Sequence, residues 1–163
     1  MKKIITVDGP AGSGKEKISR YIARKYNFYH LDSGILYRRL AYELSKKNIK
    51  AYDEDKIKRV LKNIKELSLR KNQALRKEHI GIIASEIAKL DFVRFFINSQ
   101  QKLATKIPNK KKGFVIDGRD IGSFVFKKAY LKLYVDVDAP IRAKRRYKQL
   151  IDNGEKSIYL KIL

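Results

Sequence analysis

The chain has 163 residues, no cysteine, 2 histidines, and 39 Lys plus Arg against 17 Asp plus Glu, a formal net charge of +22. Lacking cysteine, it has neither a disulfide framework nor a thiolate metal centre, and no apolar run reaches the ~20 residues of a membrane-spanning helix. The positive charge is spread along the chain and dominated by lysine, so compositional bias explains it better than a nucleic-acid face; a polyphosphate ligand suits either reading.

"MKKII" runs directly into a β-branched segment without the pattern of a signal peptide, so a cytoplasmic protein is expected. "KKIITVD" predicts a strand, and the helix after it, from Gly14 to Tyr26, places Ile18 and Ile22 on one face. "NFYHLD" predicts a second strand, with Asp32 and Ser33 as candidate N-caps for a helix through "GILYRRLAYELSKKN". "DEDKIKRVLKNIKEL" has acids in its first turn and Ile57, Val60, Leu61 and Ile64 at helical spacing. From Lys77 to Ile107 two helices are expected, broken near Asp91, with Ile80, Ile83, Ala84, Ile87 and Ala88 on one side. The basic loop Lys110 to Lys112 precedes a buried strand, Phe114 to Asp117, and "YLKLYVDV" predicts another. "DAPIRAKRRYKQLIDNG" is a helix with Pro140 in its first turn, and "EKSIYLKIL" begins a further helical pattern. Strands alternating with helices predict an α/β fold with a mainly parallel sheet flanked by helices.

Gly9, Gly14 and Lys15 match the spacing G-x-x-x-x-G-K, with Pro10, Ala11, Gly12 and Ser13 between the glycines. A loop of this kind turns backbone N–H groups toward phosphate oxygens, and the following helix adds its partial positive charge. A ligand-free glycine turn is the alternative. Glu16 and Lys17 stand where a hydroxyl usually contacts Mg²⁺; Glu16 either meets the metal, repels the phosphates, or only favours the helix dipole. In "DSGILYR", Asp32 and Ser33 are caps or ligands, and Arg38 has the reach to grip a phosphate bidentately. In "IDGRDIG", Asp117 ends a strand, where a carboxylate can hold metal-bound water, and Arg119 with Asp120 reads either as a recognition pair or as a salt-bridged turn.

Taken together, GPAGSGK, LDSGILYR, IASEIAKLDFVR, FVIDGRDIGSFVF and LKLYVDV with RAKRRYKQL resemble, in that order, the bacterial cytidylate kinase family of P-loop nucleoside monophosphate kinases. The resemblance implies transfer of the γ-phosphoryl of ATP to CMP or dCMP with Mg²⁺ bridging phosphates. It places Gly9, Pro10, Ala11, Gly12, Ser13, Gly14, Lys15, Glu16 and Lys17 on the donor. Asp32, Ser33, Arg38, Ser85, Arg94, Arg119 and Asp120 fall on the monophosphate, and Lys15, Arg119 and Asp117 in catalysis. It also implies one kinase domain, with residues 1–35 and 108–150 as the core, 36–107 as a monophosphate-binding lobe and 151–163 as the start of a truncated lid. The expected partners are small molecules, with a monomer as the working form and nucleic acid as the lesser alternative.

Three departures from that family bear on activity. Neither residue after Lys15 carries a hydroxyl. The segment "LSLRKNQALRKEHI" is short for the family's strand-rich insertion, which loosens the expectation of cytosine specificity. The family pattern also continues past Leu163 with the rest of a lid, a strand and a helix, so a truncated lid and a missing last strand are expected, with "YLKLYVDV" as an exposed sheet edge. The other reading these departures support is a non-catalytic nucleotide- or RNA-binding remnant.

Overall fold

The computed structural model describes residues 2–152 and Gly154. They form two compact units: residues 2–32 with the described residues from 109 onward, and residues 33–108.

The first unit is built on a four-stranded sheet, order β2-β3-β1-β4, in which every pairing is parallel. Its strands are β1 (Lys3–Asp8), β2 (Tyr29–Asp32), β3 (Gly113–Gly118) and β4 (Leu131–Tyr134), and its helices are α1 (Lys15–Lys25) and α6 (Ala139–Asp152). β3 is buried along its whole length, as its unbroken apolar run predicts for a central parallel strand. Ile5 and Val7 of β1 pack with Val115 of β3 and Ala23 of α1. The register sets Val7 opposite Asp117 and Asp117 opposite Asp32, so three neighbouring strands deliver Asp8, Asp117 and Asp32 at one end of the sheet.

Two expectations need adjusting here. Ile18 of α1 is exposed while Ile22 packs, partly buried, against the core, and the fully buried positions are Ser19 and Ala23, small side chains that let the helix lie close against the sheet. The ladder of β4 is shorter than "YLKLYVDV", yet its flanks stay bonded to β1: Tyr130 N donates to Ile4 O and Val135 N to Asp8 O, each at 2.8 Å. β4 is an edge strand of the described sheet, with Leu131 and Tyr134 exposed. Pro140 lies in the first turn of α6, where its missing N–H costs no helical bond. The helical pattern expected in "EKSIYLKIL" lies outside the described residues.

The second unit contains α2 (Gly34–Lys46), α3 (Glu54–Lys62), α4 (Glu78–Ile87) and α5 (Asp91–Ala104), with a 3₁₀ turn at Gln73–Arg76. Leu36, Leu40, Leu44, Ile57, Ile87 and Ile97 anchor its core, and the periodic apolar positions of all four helices converge there. α4 and α5 break just before Asp91, as expected. Ser33 occupies the N-cap of α2, but its side chain makes no capping hydrogen bond. α3 stops at Lys62, short of Ile64, the last residue of its apolar spacing, and of Leu67, where the helical stretch was expected to end. The reason is a side chain from α5: Gln100 Oε1 accepts from Leu67 N at 2.9 Å and Gln100 Nε2 donates to Lys65 O at 3.2 Å. Backbone groups that would extend the helix are satisfied by that amide instead.

Among the described residues, no helix is long and apolar enough to cross a membrane.

Candidate active site

The loop from Gly9 to Gly14 joins β1 to α1 and is closed by backbone bonds from Gly9 N to Gly118 O (3.1 Å) and from Ser13 N to Pro10 O (3.3 Å). Two of its glycines are required by space. A Cβ on Gly9 would lie 2.3 Å from Val135 O; one on Gly12 would lie 2.9 Å from Arg142 O, at a φ of +76° that L-residues rarely adopt. Gly14, also left-handed, sits at the N-cap, so α1 starts at Lys15 with its first N–H groups at the loop. α6 packs against the loop: Arg145 Nη1 donates to Gly12 O (3.3 Å) and Ser13 O (3.1 Å), and the Arg142 backbone lies beside Gly12.

Lys15 Nζ donates to Pro10 O at 3.1 Å. Burial of the ammonium lowers its pKa below the usual 10.5; the charges of Asp117, Asp32 and Glu16 pull the other way, and Arg119 adds to the lowering. The loop lysine, two strand-end carboxylates and the arginine of "DGRD" therefore share one electrostatic neighbourhood, within the first unit. Glu16 points along α1: Arg20 Nη2 and Nε donate to its Oε1 at 2.5 and 3.0 Å. Lys17 is exposed.

Asp117 is buried, and His30 Nε2 lies 2.8 Å from its Oδ2, so the imidazole N–H steadies one carboxylate oxygen. After β3, Arg119 is exposed and Asp120 is half-buried, leading into a π-helical turn at Ile121–Val125. Asp8 fixes that turn: its Oδ1 accepts from Ile121 N and its Oδ2 from Gly122 N, both at 2.8 Å.

Ser33, Arg38, Ser85 and Arg94 belong to the second unit. Arg38 Nη1 donates to Leu75 O at 2.8 Å, and its Nη2 lies 3.0 Å from where a Cβ on Gly81 would stand. The missing side chain on α4 thus makes room for the guanidinium. Ser85, exposed, follows Gly81 by one helical turn and shares that face of α4. Arg94, half-buried, lies in the first turn of α5.

Asp8 and His30 do not stand out in the sequence. Asp8 has a local signal, an acid closing a buried strand immediately before the glycine loop, but its partners lie more than a hundred residues away. His30 has only its alternation with Leu31. Arg145 reads in the sequence either as a charge source or as a solvated helix face; its guanidinium faces the loop carbonyls.

The cytidylate kinase family profile matches residues 5–163. A cytidylate kinase from Bartonella bacilliformis is 38% identical over 160 residues, covering 98% of this chain and 73% of the relative. One from Caldicellulosiruptor saccharolyticus is 36% identical, covering 100% of this chain and 76% of the relative. A crystal structure from Thermus thermophilus shares the fold, with a TM-score of 0.51 at 14% identity over 99% of this chain and 76% of that one. With the loop, the strand-end carboxylates and the sequence matches in agreement, the chain belongs to the cytidylate kinase family.

Proposed function

We propose that this chain transfers the γ-phosphoryl group of ATP to CMP or dCMP, giving ADP and CDP or dCDP. The observation that carries the reading is Lys15, partly buried at the start of α1 above a closed glycine loop, with Asp32, Asp117 and Arg119 acting on its charge. An acceptor phosphate oxygen forms the new bond to the γ-phosphorus while the oxygen bridging β and γ leaves with ADP, so no protein nucleophile is needed. The protein's work is positioning and charge neutralisation.

In this reading Gly9 to Gly14 hold the donor phosphates through backbone N–H groups, and Lys15 and Arg119 neutralise the charge that develops on the transferred group. Arg38 and Arg94 grip the acceptor phosphate, while Ser85, Arg119 and Asp120 read the cytosine or neighbouring groups. Asp32 and Ser33 complete the acceptor side. Residues 36–107 act as the monophosphate-binding lobe.

Mg²⁺ fits as an ion carried by the nucleotide. Among the described residues no three His, Asp or Glu side chains converge into a metal cage, whereas Asp117, anchored by His30, suits an ion held through water. The ion, when bound, offsets charge on the phosphates. We assign the enzyme to the cytoplasm as a monomer acting on small molecules.

The test is ADP release from ATP with CMP, dCMP and UMP supplied separately. Turnover with CMP and dCMP well above UMP is expected; equal rates with all three would remove the cytosine reading. ATP-independent RNA binding with steep salt dependence would support the remnant reading instead.

A further inference from the structure

The residue after Lys15 is a carboxylate, at the point of the chain built to receive anions. Glu16 acts on Lys15 through space, so its charge reaches the place where donor phosphates would lie. Two outcomes follow for such a group. Uncompensated, it opposes phosphate binding; compensated and turned away, it leaves the loop and helix N-terminus free to attract anions.

One turn further along α1, Arg20 directs both Nε and Nη2 at the same oxygen, Glu16 Oε1, at 3.0 and 2.5 Å. The order, with the acid four residues before the base, is the favourable one on a helix. The two side chains are 43% and 49% exposed, a setting in which an ion pair adds little to fold stability. Its local effect is different in kind: it joins a negative charge beside Lys15 to a positive one farther along the helix.

We propose that Arg20 is a positioning residue for the phosphate donor, holding Glu16 in a neutral pair along α1 so that the loop remains an anion site despite the carboxylate after Lys15. The proposal rests on the ATP reading above. Arg20 acts through Glu16 and need not touch the nucleotide.

The experiment is titration of ATP in EDTA, without metal, at low ionic strength, on wild type, Arg20→Ala, Arg20→Lys, Glu16→Gln and the Glu16→Gln, Arg20→Ala double variant. Arg20→Ala is expected to weaken metal-free ATP binding about 5-fold, a gap that closes as salt is raised. Arg20→Lys stays near wild type, and the double variant matches Glu16→Gln because no carboxylate remains to be held. In steady state the KM for ATP rises in Arg20→Ala while the KM for CMP and the melting temperature stay put. Wild-type affinity in Arg20→Ala would overturn the proposal. So would a double variant as weak as Arg20→Ala alone, since Arg20 would then act without Glu16. A wild type that binds no ATP would overturn the functional reading on which the proposal stands.

Discussion

Lys15 shows how much a single burial can say. Its charge is costly in the partly buried loop, so its pKa is lowered from 10.5. Below the depressed value, the lysine is charged folded and unfolded alike, and the full penalty is present. Between that value and 10.5 the unfolded chain holds the extra proton, so this group's contribution to stability rises with pH across that window. Donor phosphates reverse the balance by favouring the charged form. ATP binding in the alkaline window is therefore expected to take up a proton, read as a binding enthalpy that changes with the ionisation enthalpy of the buffer. A Lys15→Met variant should lose the effect, and identical enthalpies in all buffers for the wild type would contradict it. Asp8 makes a separate residue-scale prediction. In Asp8→Ala two buried N–H groups, at Ile121 and Gly122, lose their acceptor, at ~1–3 kcal/mol each, so the denaturant midpoint should fall by the equivalent of about 2–6 kcal/mol. A midpoint within 1 kcal/mol of wild type, taken as about the smallest single-donor cost, would show that the turn finds other partners.

At the scale of elements, α4 carries its own test. The nearest atoms a Cβ on Gly81 would meet are the far end of the flexible Arg38 side chain, and alanine is the better helix former by ~1 kcal/mol. Gly81→Ala should leave the melting temperature unchanged or higher while raising the KM for CMP several-fold, because the guanidinium is displaced; an unmoved KM would argue that Arg38 does not grip the acceptor. The elements themselves were largely legible from hydrophobic periodicity and from the glycine loop, while the expected Ser33 cap makes no side-chain hydrogen bond. The strand, loop and helix at the start follow from local chemistry, and so do the two helices meeting at Asp91. What failed is what depends on distant partners. The end of α3 is set by the amide of Gln100, and the inward face of α1 by how closely the sheet approaches, which selected Ser19 and Ala23 over Ile18. Likewise, the glycine loop could be read locally, whereas the grip of Asp8 on the turn after β3 could not.

For the whole molecule, the motifs gain their meaning from register. Parallel pairing of β2, β3 and β1 brings Asp32, Asp117 and Asp8 to one end of the sheet, where the glycine loop also emerges. The net charge of +22 is spread along the sequence, and among the described residues Glu16 and Arg20 form an ion pair on the helix that follows the loop. The chain spans about three quarters of the length of the curated relatives it matches, and the glycine loop, the strand-end carboxylates Asp32 and Asp117 and the arginine Arg119 lie within that span. The most direct measurement is phosphorus NMR of the purified protein with Mg²⁺, ATP and CMP. Signals of CDP and ADP should grow together in equal amounts, and Lys15→Met should slow them by orders of magnitude. An ATP spectrum that stays unchanged in the presence of CMP, from a folded protein, would contradict the account.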